Sequence, residues 1–264
     1  MKLTKQIYSN DNLTEREAAL AHSFAGLPSK EQLEAELAEI REQSKRAIRK
    51  TPKDKLINIF EFQENTYNEL VRRKVLFEGR IDILATEVLG YKYEDFHREM
   101  SEFQNKGIYE AGNLVRKENR SLIMAPRGGG KSHILTYVQT LYEVLVNPNI
   151  RILITSNTQG QSESFLRTLS QHLTDNGTLI KIFGHQKHAT LKWDTREINL
   201  AGRTRKGRES TIMCIGLGGG VTGLHFDLII GDDLVDEENA RTKHQRDYVF
   251  TWFYKTLYPT LEPD

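Results

Sequence analysis

The sequence predicts an α/β fold: a mostly parallel sheet flanked by helices, with a helical subdomain ahead of it. Three observations carry that reading. Up to about residue 120 the apolar residues recur at helical spacing among charges. From residue 121 short apolar runs alternate with helical stretches. A triple glycine, Gly128-Gly129-Gly130, joins the first of those runs to the first of those helices. Strands that alternate with helices build a parallel sheet covered on both faces. The expected division is a helical region over residues 1–75 and an α/β domain over residues 76–264.

The elements follow in order. After Pro28-Ser29, Leu33, Leu37 and Ile40 mark one helix face, and Glu42 and Arg46 sit four apart on a solvated one. Thr51-Pro52 predicts a break. Leu56, Ile59, Phe60, Gln63, Tyr67, Leu70 and Val71 then mark a second amphipathic helix, and Ile81–Leu89 a third, stopped by Gly90. The basic cluster Val71-Arg72-Arg73-Lys74 reads as a snorkelling helix face, with nucleic-acid contact as the alternative. Leu122-Ile123-Met124 predicts a short strand, followed by the glycine loop and a helix through Ile134, Leu135, Val138, Leu141 and Leu145. Asn147-Pro148-Asn149 is a turn, Ile150–Thr155 a strand and Gln161–Leu173 a helix. Alternation over residues 190–215 predicts strands around a polar hairpin, Gly202 to Glu209. Phe226–Ile230 is a buried strand that ends in Gly231-Asp232-Asp233.

The 264 residues are enough for one large α/β domain and an appendage. A net charge of +1 excludes a strongly basic coat, so any nucleic-acid contact must come from local patches. The single cysteine, Cys214, excludes an intrachain disulfide framework, fits a reducing compartment and reads as a core residue. There is no run of about 18 apolar residues to span a membrane, and the polar start lacks the apolar core of a signal peptide. A cytoplasmic protein with no membrane partner is expected.

The chemistry begins at Ala125-Pro126-Arg127-Gly128-Gly129-Gly130-Lys131-Ser132-His133. Glycines let backbone amides close around phosphate oxygens, the lysine adds a point charge, and the serine hydroxyl can ligate Mg²⁺. Ala125 stands where the common pattern begins with glycine. Residues 127–133 are therefore the expected nucleotide-binding residues. The second element is Asp232-Asp233 at the C-terminal end of an apolar strand. Asp232 can hold Mg²⁺ and Asp233 can polarise the attacking water. Together the two elements predict a P-loop NTPase of the ASCE type, using ATP and Mg²⁺. Arg127, inside the loop, either neutralises the charge of phosphoryl transfer or braces the loop. Thr155-Ser156-Asn157 sits where such sheets meet ligands, and could sense the γ-phosphate or touch DNA.

Arg127-x-x-Gly130-Lys131-Ser132, the pair Asp232-Asp233, and Gly218–Ile230 before that pair resemble the ATPase (motor) domain of a tailed-bacteriophage terminase large subunit. Phe96-His97-Arg98-Glu99-Met100 resembles the family's entry segment, often close to the adenine. The similarity covers roughly residues 80–264. It implies ATP hydrolysis that drives viral double-stranded DNA into a procapsid. It also implies a portal protein and a small terminase subunit as partners, a ring-forming homo-oligomer, and a place in the host cytoplasm at the procapsid portal. By the same resemblance Arg127 matches the arginine of the family's loop, Asp232 its Mg²⁺ carboxylate and Asp233 its catalytic carboxylate. Many members carry glutamate at that last place. The family continues into a coupling motif and a nuclease domain; neither is found here, and no nuclease activity is expected of this chain. Asp236, Glu237 and Glu238 read instead as a helix N-cap with an acidic first turn. Two other readings stay open: a helicase-like ATPase, and a nucleotide-gated assembly module with little turnover alone.

Arg203, Arg205, Lys206 and Arg208 crowd the hairpin between Gly202 and Glu209. They could grip DNA phosphates, or one could reach a neighbouring subunit's ATP; an exposed hairpin tip is the simpler alternative. Tyr248, Phe250, Trp252, Phe253, Tyr254 and Tyr258 read as helical core packing, with base stacking as the alternative.

Overall fold

A computed structural model describes residues 28–50, 59–105, 109–110, 113–114 and 120–262. The break expected at Thr51-Pro52, and Leu56, lie outside them. The chain divides into two compact units, residues 1–130 and residues 131–264.

The first unit is helical. Helix α1 (Lys30–Lys50) buries Leu33, Leu37, Ile40 and Ser44, one stripe at spacings of four, three and four. That stripe packs on α2 (Ile59–Glu78), where the Ser44 hydroxyl donates to the Gln63 carbonyl at 2.9 Å. Arg46 meets Glu42 at 3.8 Å on the exposed side, where such a pair adds little. Lys74 lies 2.6 Å from Glu36 and 2.8 Å from Glu78, and Arg72 pairs with Glu69, so the basic cluster of α2 is paired largely within the unit. Helix α3 (Ile81–Ile83) runs directly into a π-turn, Leu84–Val88, and ends at Gly90, whose φ of 72° suits a residue without Cβ. Helix α4 (Asp95–Asn105) follows, then a two-residue antiparallel hairpin, β1 (Tyr109–Glu110) with β2 (Asn113–Leu114).

Residues 121–126 form no strand. The sequence predicts one at Leu122-Ile123-Met124, yet Leu122 is 81% and Met124 88% exposed. A strand exists only through its ladder and its packing, and three apolar residues specify neither.

The second unit holds the sheet. A π-helix, Ser132–Val138, continues as α5 (Gln139–Val146). Strand β3 (Ile152–Ser156) follows, then α6 (Gln159–Asp175), α7 (Gly177–Phe183), β4 (Glu197–Ile198), β5 (Ile212–Gly216) and β6 (Leu228–Gly231). The strand order is β4-β5-β3-β6. β3 is parallel to both neighbours, with Leu153 opposite Met213 and Ile229, while β4 runs antiparallel to β5. The fold is therefore α/β with a four-stranded mixed sheet. All of β3 is buried, as a central strand covered on both faces requires. α6 packs on β3 and β5. The face carrying Leu153, Met213, Ile215 and Ile229 packs against Trp252 and Leu257. Gly216 lies so close to the backbone of Thr158 and Gln159 that a Cβ has no room.

The chain ends in α8 (Glu237–Ala240), α9 (Lys243–Trp252), a π-turn (Phe253–Leu257) and a 3₁₀ turn (Tyr258–Thr260). Asp236 caps α8 in a reciprocal capping box with Asn239, ahead of Glu237 and Glu238, so this acidic run is a helix start. Arg151 anchors the terminal segment. Its guanidinium lies 2.6 Å from Asp227 and 3.2 Å from Glu262. Among the described residues no helix is long and apolar enough to cross a membrane.

Candidate functional site

The glycine loop is shaped by its own backbone and by α4. Gly129 N–H donates to the Pro126 carbonyl at 3.2 Å, closing a turn, and Gly128 and Gly130 take φ of 82° and 68°. His97 supports the turn. Its Nδ1 accepts the Glu94 backbone N–H at 3.0 Å, which leaves the proton on Nε2. Nε2 then donates to the Gly129 carbonyl at 3.0 Å. A Cβ at Gly130 would stand 3.0 Å from that nitrogen, so position 130 needs glycine for space as well as conformation. The Phe96 ring lies over His97, centroids 3.9 Å apart, and 3.8 Å from where a Gly129 Cβ would be. The segment Phe96–Met100 is thus beside the loop through its first two residues. Arg127 is exposed at the turn.

In the second unit Lys131 meets both carboxylates of the acidic pair. Its Nζ donates to Asp233 Oδ1 at 2.8 Å and lies 3.3 Å from Asp232 Oδ1. Burial works against the ammonium, but the hydrogen bond to Asp233 and the charge of Asp232 outweigh it and hold the lysine above its ordinary pKa. Asp232 is 4% exposed, and its Oδ2 accepts the Thr136 hydroxyl at 2.8 Å. Its Oδ1 is buried and has no geometric hydrogen-bond partner among the described residues; the Lys131 ammonium stands 3.3 Å from it. Asp233 is 62% exposed and carries a φ of 50°, the left-handed backbone rarely used outside glycine. Ser132 and His133 open the π-helix, His133 on its exposed side.

These residues suit a hard divalent cation. Mg²⁺ takes one or two protein oxygens and fills its other positions with water and phosphate. A buried carboxylate oxygen with a lone pair to spare, and a serine hydroxyl at the start of the helix after the loop, are such donors. Among the described residues no group of three or more His, Cys, Asp or Glu side chains could hold a metal.

The segment after the acidic pair is tied to the end of β3. Asn157 N–H donates to the Asp233 carbonyl at 3.2 Å, and its side-chain amide donates to Asp236. Asn239 in turn donates to Asn157 Oδ1 and to the Leu234 carbonyl, each at 2.9 Å. Asn157 therefore spends its side chain on this bracket. Thr155 is buried and the Ser156 hydroxyl bonds Ser162. The bracket and Thr136 are what sequence reasoning missed. Asn157, Asp236 and Asn239 carry no shared motif, and a buried threonine on an apolar helix face reads as core.

The four hairpin cations differ. Arg203 donates 2.7 Å to the Glu209 carbonyl and reaches the carbonyls of Asn149 and Ile150, so it ties the hairpin to the turn before β3. Burial, then the charges of Arg205 and Arg151, lower its pKa. Arg205 lies 3.6 Å from Asp227. Lys206 and Arg208 are exposed. The aromatic run splits as well. Trp252 is buried, its Nε1 donating to the Gly219 carbonyl at 3.0 Å, while Tyr248, Phe250 and Tyr254 are exposed.

No protein-family model matches the chain, and no curated protein matches it.

Proposed function

We propose that this chain is a P-loop ATPase of the terminase large-subunit type, hydrolysing ATP to move viral double-stranded DNA into a procapsid. The observation that supports it most is the meeting of Lys131 with Asp233, 102 positions apart in sequence, with Asp232 alongside. A glycine-loop lysine beside two adjacent carboxylates at a strand end is the arrangement a magnesium-nucleotide calls for.

In this reading the amides of residues 128–130 and the Lys131 ammonium hold the β- and γ-phosphates at the start of the helix, where backbone N–H groups favour anions. Ser132 and Asp232 would hold Mg²⁺, which when bound neutralises charge on the phosphate oxygens. Asp233, exposed and joined to Asp232, orients the attacking water. Arg127 neutralises the transferring group. His97 keeps the Gly129 carbonyl engaged, so that oxygen is turned to the imidazole rather than to an anion. Lys131 must leave the carboxylates to reach the phosphates.

The test is ATP turnover of the purified chain with and without double-stranded DNA and a portal. Lys131→Ala is expected to abolish hydrolysis; wild-type turnover in that variant would overturn the site. Stimulation by DNA and portal together is the expected result for a packaging motor. Strand displacement without a capsid would replace it with the helicase-like reading, and nucleotide binding with negligible turnover under every condition with the assembly module.

A further inference from the structure

We propose that Thr136 is a positioning residue for magnesium: it holds Asp232 by one carboxylate oxygen and so presents the other to the metal. The inference rests on the ATPase reading of the site.

A buried carboxylate has about four lone-pair directions to satisfy and strongly disfavours losing any of them. Among the described residues only one oxygen of Asp232 has a geometric hydrogen-bonding partner. Oδ2 accepts the Thr136 hydroxyl at 2.8 Å, with Thr136 itself 2% exposed. Oδ1 has none there and lies 3.3 Å from the Lys131 ammonium. The hydroxyl fixes the carboxylate's rotation about its last torsion, a broad and soft one when unrestrained. Fixed this way, Oδ1 is the oxygen that faces Lys131, the cation resting beside the acidic pair. When the lysine moves to phosphate, Oδ1 is the oxygen left without a positive partner.

The helix supports the same assignment. Thr136 lies in the π-helix Ser132–Val138 that follows Lys131 directly, on the same helical segment as Ser132. The structure gives the task of gripping Asp232 to Thr136 and not to Ser132, the hydroxyl next to the loop lysine. Ser132 is then available to the metal itself. Two hydroxyls on one helical segment have divided labour: one orients the carboxylate, the other ligates.

The test compares the affinity of a fluorescent, non-hydrolysable ATP analogue with Mg²⁺ and with EDTA, alongside direct Mn²⁺ binding followed by electron paramagnetic resonance. Thr136→Val, nearly isosteric, is expected to leave metal-free nucleotide affinity within about twofold. It is expected to lose roughly tenfold of the enhancement by Mg²⁺, the scale of a hydrogen bond to a charged group. Thr136→Ser is expected to restore it. Should the valine variant unfold at the assay temperature, Thr136→Ala carries the test, since it leaves space for a water under Oδ2; a loss in the same direction is expected. Unchanged Mg²⁺ enhancement and Mn²⁺ affinity in the folded valine or alanine variant would overturn the role of Thr136 and leave the ATPase reading standing. A wild-type chain that binds the analogue under neither condition would overturn both.

Discussion

Asp82 in the first unit and Asp232 in the second are both carboxylates sunk in the protein with a cation beside them, and they are finished differently. Asp82 is 0% exposed and saturated. Arg80 Nε donates to Oδ1 at 2.9 Å, Arg80 Nη2 to Oδ2 at 2.8 Å, and the Ile83 backbone N–H to Oδ1 at 3.0 Å. Arg80 also pairs with Glu36, and although burial opposes its charge, these partners raise its pKa. Such a planar fork leaves the carboxylate nothing to give a ligand. Asp232 has one hydroxyl on Oδ2, and on Oδ1 an ion pair with Lys131 but no geometric hydrogen bond among the described residues. Saturation suits a carboxylate that holds the fold; in the proposed reading, Oδ1 of Asp232 is the oxygen the metal takes.

Asparagine at each position separates the two most sharply. Asp232→Asn is expected to lower ATP turnover at least about 10³-fold by weakening metal neutralisation, while its urea midpoint stays near wild type. Asp82→Asn is expected to do the reverse: about 3 kcal/mol lost in urea unfolding, because Arg80 is left buried with half its partners, and turnover per folded molecule kept. Similar stability losses in both variants would erase the distinction.

Arg127→Ala comes next. An exposed arginine at the loop is expected to slow turnover about 10³-fold or more with nucleotide affinity largely intact. A loss under tenfold, read from kcat at saturating ATP, would make Arg127 a brace.

Acid sharpens the structural side of the comparison. Burial tends to raise the Asp227 pKa, but hydrogen bonds from Arg151 outweigh it and hold the carboxyl below its ordinary 3.8. A depressed folded pKa adds stability that is present above the ordinary value and is lost as pH falls through the folded one. Asp227→Asn is expected to cost about 2 kcal/mol at pH 7 and to flatten the stability loss below pH 4. An equal acid slope in variant and wild type would show that the Arg151 anchor contributes nothing.

The smallest effect concerns the sheet. Burial pushes the Cys214 thiol up to about 12, so at pH 8 it is expected to react with a disulfide reagent only as fast as the unit opens. Prompt labelling of the native protein would mean that β5 is looser than its burial implies.

Much of this was legible in the chain. Leu33, Leu37 and Ile40 mark a helix face by period alone, and Phe226–Ile230 leads to an acidic pair by composition. Lys131 and Asp232-Asp233 were readable because glycine-lysine-serine and paired aspartates carry chemistry in their identities. What was illegible depends on approach in space. Leu122-Ile123-Met124 looks like a strand because apolar runs are what strands are made of, but pairing partners are not written in the run. Arg203 looks like its neighbours in the basic hairpin and turns inward because carbonyls of the preceding turn lie in reach. Thr136 gives no local signal, since a threonine among apolar residues acquires meaning only from what meets it; Asn157 was marked by its place after a strand, but its bracket with Asp236 and Asn239 is not written there.

The left-handed backbone at Asp233 bears on evolution at that position. A side chain there must tolerate a conformation costing roughly 1–2 kcal/mol, which aspartate and asparagine bear better than longer residues. Glutamate at this position would add reach but sit less easily on this turn. Asp233→Glu would therefore need the backbone at residue 233 to relax. The short acid records the shape of the corner as much as the demands of the water it is proposed to orient.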